Sequence, residues 1–483
     1  MFKNWFYLPA LLFLLITLLS GTWLRIQWGW PQWQLLGFEL SWSLFFRADY
    51  LLHGHSHVAL LGWVFPGLMG LVLEAGTRRS LLPQTGLRLL AALTIFVTLL
   101  LFIAFVGQGY APLSIALSTI HMLLGYALAW IFFRHAREDS NTGSRYFLEG
   151  AVFWMVMATA GPWLLAIGRG LPLFWMDAAV HYYLHVLFNG WFLFGLAGLS
   201  YRYLVNAPYR QCTWPFWLMM VGLIPALLPA LQSGLFSQPV FSHEMAETSG
   251  MMSTSAGSAM TVGSASGDMA ARSVAEAAWQ LAGVAGTALF AIGGLAVVWI
   301  TIQSLLMKKR ALICRELLWV GLMAAVPVLI LPVPMALPAV RSIWMQSDFL
   351  IIGFIHLHLL VMVTSLLLFA VLQRSAGHAT ASGERSGAGM TPQQERGLLS
   401  RSVGDVAPVS DRMSIRQSIL RAGSLIYIGG VLLMVAVLFV TGYFQISGIL
   451  PPYPVQKLPA YTGMAALTGV ALLIFSSLRK ANR

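Results

Sequence analysis

Runs of about 20 apolar residues, the length that crosses a hydrocarbon core of roughly 30 Å, recur from one end of this 483-residue chain to the other. A backbone in lipid must satisfy its hydrogen bonds internally, so runs of this length read as membrane helices. The composition agrees: 58% of residues are hydrophobic, 10% are charged and the mean hydropathy is +0.75, far from a soluble domain. The expected fold is all-α, a polytopic bundle of about twelve transmembrane helices forming a single transmembrane domain over residues 1–483. The first apolar run, Trp5 to Trp23, has no small-residue cleavage site and reads as a retained helix.

The expected spans are 5–29, 51–75, 87–107, 112–134, 146–169, 176–201, 213–234, 277–304, 316–340, 349–373, 422–442 and 461–479. Alternate loops carry Arg78 and Arg79, then Arg134, Arg137 and Arg145, then Arg202 and Arg210, then Lys308 to Arg310, then the Arg-rich segment from Arg374 to Arg421. Positive loops stay inside, which puts both termini in the cytoplasm and makes every even-numbered span run inward. A bacterial inner membrane is the expected location. The net charge of +12 is accounted for by these loops, so nucleic acid is excluded as a partner and the lipid bilayer is the surrounding. Cys212 and Cys314 stand alone and match neither a haem-attachment nor a CxxC metal motif.

Two connections are long. Residues 237–273 are rich in Ser, Gly, Ala and Met and read as a flexible outer insertion; His243 and its methionines also offer soft ligands to copper. Residues 375–413 are polar and basic and read as a flexible cytoplasmic loop.

Against this apolar background eight histidines stand out. His53, His55 and His57 open the second span, His121 lies in the fourth, His181 and His185 in the sixth, and His356 and His358 in the tenth. All four spans run inward, so at 1.5 Å per residue the eight side chains share a slab about 3 to 15 Å below the outer surface. Positions i and i+2 are about 200° apart on a helix, so the pair in IHLHLL serves two different partners. Positions i and i+4 share a face, so His181 with His185, and His53 with His57, can converge, His55 turning away. For His121 a packing role and a ligand role both stand. Ionisable groups in hydrocarbon are costly and functional by default. Eight imidazoles, with carboxylates confined to helix ends, favour iron or copper, and a bundle with room between helices suits haem.

The HxH of His356 and His358, with HSHVALLGWVFPGLMG in the second span, resembles the catalytic subunit of the haem-copper oxidase superfamily, which includes the cytochrome oxidases and nitric oxide reductases. The resemblance covers the topology of nearly the whole chain. It implies two haems: a low-spin haem on His358 and either His55 or His57, and a high-spin haem on His356. It also implies a membrane oxidoreductase reducing dioxygen or nitric oxide. The family's second metal uses one histidine of the sixth helix and a pair on the seventh, yet TWPFWLMMVGLIPALLPALQSGL contains none. Either His121, His181 and His185 rebuild a site for copper or non-haem iron, or that metal is absent. Tyr182 and Tyr183 are similar to the tyrosine that oxidases keep near copper, without its spacing, and are the candidate catalytic residues. Arg47, Arg169 and Arg341 are candidates for haem propionates or for interfacial anchoring. No span carries a carboxylate in its middle, so no proton-loading relay is expected.

With no c-type haem or two-cysteine copper motif, the electrons must come from a partner subunit (a cytochrome c or copper protein) or from quinol. Two other classes remain open. One is a non-respiratory haem- or copper-binding protein, resembling the twelve-span proteins of the nitric oxide stress response. The other is a copper or haem transport or assembly factor.

Overall fold

A computed structural model describes residues 3–29, 32–35, 38–41, 47–78, 81–137, 141–167, 173–232, 265–307, 312–374, 409–448 and 453–478. The chain is a polytopic helical membrane protein. Among the described residues, eleven helices are long and apolar enough to cross a bilayer. In chain order the spans are α1 (Trp5–Gln27), α2 (Ala48–Gly76), α3 (Gln84–Gln108), α4 (Pro112–Arg134), α5 (Thr142–Ile167) and α6 (Trp175–Tyr203). After the short α7 (Trp214–Leu223) come α8 (Glu276–Met307), α9 (Arg315–Met335), α10 (Asp348–Arg374), α11 (Gln417–Ile446) and α12 (Leu458–Ser476).

The expected span over 213–234 is broken. Pro225 and Pro229 lack amide donors, so after Leu223 the chain tightens into a 3-10 turn at Pro225–Leu227 and resumes only over Leu228–Gln232. Leu227 N–H bonds the carbonyl of Ile224 at 3.0 Å, which leaves the Leu223 carbonyl without its helical donor. Other boundaries also moved. The helix containing α8 begins at Ala265, so the last residues of the expected outer insertion are helical. The helix containing α11 begins at Val409, which shortens the expected cytoplasmic loop in the same way. A small antiparallel hairpin, β1 (Gln32–Leu35) and β2 (Phe38–Ser41), was not expected.

The arginine-bearing loops are knitted into one face of the bundle. Arg78 N–H bonds the His135 carbonyl at 3.0 Å, Asn141 reaches Tyr201 O at 2.8 Å, Asn206 reaches Ser304 O at 2.9 Å, and Ile313 N–H bonds Gln373 at 2.9 Å. This is the arrangement the alternating charge demands.

The three most enclosed spans are α2, α6 and α10, with 83%, 67% and 61% of their apolar windows buried, against 39% for α3, α4 and α5. The spans bearing seven of the eight slab histidines are therefore the centre of the bundle. They pack on Trp63, Trp191, Phe192 and Phe194, all fully buried.

Candidate functional site: a histidine layer at one end of the bundle

Three of the four histidine spans share a backbone irregularity. α2 is α-helical through His57 and π-helical over Val58–Val64. α6 changes in the same way after His185, over Val186–Leu193. α10 changes after His356, over Leu357–Val363. π-helical turns are rare and gather at functional sites. They also release carbonyls and admit side-chain donors: Thr364 Oγ1 donates to Leu359 O at 2.8 Å, and the buried Tyr427 hydroxyl of α11 donates to Leu360 O at 2.6 Å.

A carbonyl can only accept, so a ring nitrogen bonded to one must carry the proton. His55 Nδ1 lies 3.0 Å from Thr17 O, with Ser20 Oγ at 3.1 Å from the same nitrogen. His57 Nδ1 donates to His53 O at 2.9 Å, and His356 Nδ1 to Ile352 O at 2.7 Å. In His55, His57 and His356 the backbone therefore fixes the Nδ1–H tautomer and leaves Nε2 as a lone pair. His121 and His358 are 2% and 4% exposed, and Nε2 of each is buried with no hydrogen-bond partner. A backbone-bonded Nδ1 with a bare Nε2 is the state in which imidazole ligates iron. The donor set fits haem.

The two α10 histidines have different neighbours. His356, rather than His358, is the α10 histidine within electrostatic reach of His55, and Arg25 of α1 adjoins both. His55 is packed against α1 so closely that a Cβ on Gly21 would lie 2.8 Å from its ring. His358 turns the other way, towards α6, where it neighbours His185 and lies against Phe188 with ring centroids 5.5 Å apart. The i, i+2 geometry does send the two α10 histidines to opposite sides.

His185 is already engaged. Its Nε2 donates to the Leu223 carbonyl at 2.9 Å, the acceptor freed by the break in α7, and its Nδ1 lies 3.3 Å from Asn189 Nδ2. His181 sits beside it, ring centroids 6.2 Å apart. His121 belongs to another neighbourhood, next to His57 and against the Phe65 ring at 5.0 Å. So the trio of His121, His181 and His185 is not brought together, and among the described residues no three His, Cys, Asp or Glu side chains are grouped to hold a metal. Of the candidate tyrosines, Tyr182 donates to Met157 O at 3.1 Å, and Tyr183 packs where a Cβ on Gly161 would touch its own Cβ at 2.8 Å. Among the described residues, neither is hydrogen-bonded to a histidine.

Arg47 is exposed, pairs with Asp49 at 2.6 Å and lies over the Tyr50 ring at 4.1 Å. Arg341 is buried near the same end, its guanidinium 3.4 Å from Ala336 O, and burial pushes its pKa below the usual arginine value. Arg169, His243, Met245, Met251, Met252 and Met260 fall outside the described residues.

Sequence reading missed two residues of this layer. Arg25 is a buried cation within an apolar run, a signal visible in WLRIQW. Tyr110 gave no such signal. It follows Gly109, whose φ of 62° turns the chain between α3 and α4; a Cβ there would also strike the Tyr50 ring at 2.7 Å. The turn sets Tyr110 against His53 and His57, at ring distances of 4.7 and 5.7 Å.

At the opposite end the same central spans are tied by charge. Glu74 of α2, its side chain 2% exposed, forms an ion pair with Arg374 of α10 and accepts from Tyr7 at 2.5 Å, while Arg374 lies over the Tyr203 ring of α6 at 4.8 Å.

The fold and this layer define a class: a polytopic helical membrane protein with an imidazole-rich centre. No family model matches the chain, and no curated protein matches it.

Proposed function

We propose that this chain is a haem-binding membrane oxidoreductase that passes electrons from a partner subunit or quinol to a small gas, dioxygen or nitric oxide. One haem would sit between His55 and His356 and a second at His358. The observation that carries the reading is the set of bare Nε2 atoms on α2 and α10, three of them with Nδ1–H held by backbone carbonyls and that of His358 buried without a partner.

Haem, when bound, supplies one-electron exchange and an iron that takes a gas ligand. The chain does the rest. The Thr17, His53 and Ile352 carbonyls fix the tautomer and ring angle of His55, His57 and His356 and raise their basicity. Arg25 offers a buried cation to a carboxylate beside His55 and His356. Phe188 and Phe354, flanking His358, keep water from its Nε2. Because His185 spends both ring nitrogens on the protein, we derive no step through a second, non-haem metal. That same observation favours the non-respiratory haem protein as the second reading.

A reduced-minus-oxidised optical spectrum of purified protein, taken with and without carbon monoxide and with iron and copper analysis, tests the proposal. Two irons per chain and both low-spin and carbon-monoxide-reactive haem are expected. One haem type without gas turnover selects the second reading, and absence of haem rejects both.

A further inference from the structure

At the arginine end, the loops after α2 and α4 are fixed to each other by backbone contacts. Thr77 and Ala136 form an antiparallel bridge, Arg78 N–H bonds His135 O at 3.0 Å, and Arg137 N–H bonds Gly76 O at 2.8 Å. Between them and the start of α5 lies a cleft of about 500 Å³, into which Arg78, Arg134, Arg137 and Arg145 all contribute. The carboxylate on its wall is Glu149, bonded to Arg145 at 2.8 Å. Among the described residues lining the cleft, Arg78, Arg134, Arg137 and Arg145 outnumber the single carboxylate of Glu149, four positive charges against one negative.

Positive loops are ordinary on this side of a membrane protein. Here they are joined to two further features: a concave site on a fixed backbone, and an apolar rim. Leu81 and Phe133 line the same cleft and are 55% and 47% exposed, and Trp130, one turn from Phe133 on α4, is 69% exposed. Guanidinium groups grip phosphate oxygens through paired N–H donors. An adjoining band of exposed apolar side chains suits acyl chains.

We propose that this cleft binds the phosphate of an anionic phospholipid headgroup, with the acyl chains along Leu81, Phe133 and Trp130. The site is independent of the haem reading. It also adjoins the ion pair that ties the central spans, because Arg137 lies within electrostatic reach of Tyr203, which packs on Arg374.

Native mass spectrometry of the full chain, titrated with phosphatidylglycerol or phosphatidylcholine, tests the assignment. Retention of phosphatidylglycerol over phosphatidylcholine is expected, falling as ionic strength rises. Arg134→Gln with Arg137→Gln should weaken it about thirtyfold, the loss of two charges near a membrane surface. Arg134→Lys with Arg137→Lys should keep most of the binding, so the test survives if the neutral pair fails to fold. Equal retention of the two lipids, full retention in the Gln pair, or displacement by equimolar inorganic phosphate would overturn the proposal, the last by making this a site for free phosphate.

Discussion

The Trp63 indole N–H of α2 donates to Thr364 Oγ1 of α10 at 3.0 Å, tying the π-helical segment that follows His57 to the residue that closes the one following His356. Both groups are fully enclosed. Trp63→Phe leaves the hydroxyl without its donor and should cost about 1–3 kcal/mol. Thr364→Val in the same background should cost less than the sum of the two single changes, because both delete one bond. Thermal unfolding in detergent measures this; additive losses would show that the bond does not couple the spans.

Loss of haem should follow the Nε2 lone pairs. His55→Ala and His356→Ala are expected to remove the same low-spin signal, whereas His185→Gln should leave haem content unchanged. Gly21→Ala should displace the His55 ring, since the new methyl would sit 2.8 Å from it. The pyridine haemochrome assay gives haem per chain; loss on His358→Ala but not on His356→Ala of the low-spin band would restore the pairing implied by the family.

Glu74→Gln should be costly at the other end of the bundle. It removes the charge facing Arg374 in a place where the Glu74 side chain is almost sealed from solvent. Removing one partner of a buried pair costs about 3–5 kcal/mol. Glu74→Gln with Arg374→Gln should recover part of the loss. A melting temperature equal to wild type in Glu74→Gln would show that the pair contributes nothing.

The two thiols report which side faces the cytoplasm. Cys314 is buried, while Cys212, on the loop after α6, is partly exposed. Burial pushes the Cys212 thiol above its usual pKa, so less thiolate is present at neutral pH, and labelling should keep accelerating as pH rises past the ordinary thiol range. An impermeant maleimide should modify inside-out vesicles and spare right-side-out cells; the reverse pattern would invert the orientation.

Much of the fold was legible because spans crossing lipid have little alternative. The bounds of α4 match the expected residues, and α2, α3, α6 and α10 differ from theirs by only a few. The break in α7 was legible in principle, since GLIPALLPAL carries two prolines four residues apart, but apolar length outweighed them. The side each α10 histidine takes was legible: the i, i+2 spacing separates His356 from His358 whatever surrounds them. Which neighbour each meets depends on helix packing, and single-sequence periodicity carries no term for that. The π-helical segments were invisible for a related reason, as they are held by tertiary contacts such as Tyr427 to Leu360 O.

Those π-helical segments bear on how the chain tolerates insertion and deletion. Each amounts to about one extra residue wound into an otherwise regular helix, and one residue corresponds to about 100° of rotation. Excising one residue from the stretch 359–363 would let α10 revert to ordinary winding without breaking it, at the expense of swinging His356 and His358 out of phase with Arg374. The two ends of this span keep their angular offset only while that surplus residue is present, so the histidine layer and the charged latch beneath it are phased by a residue count.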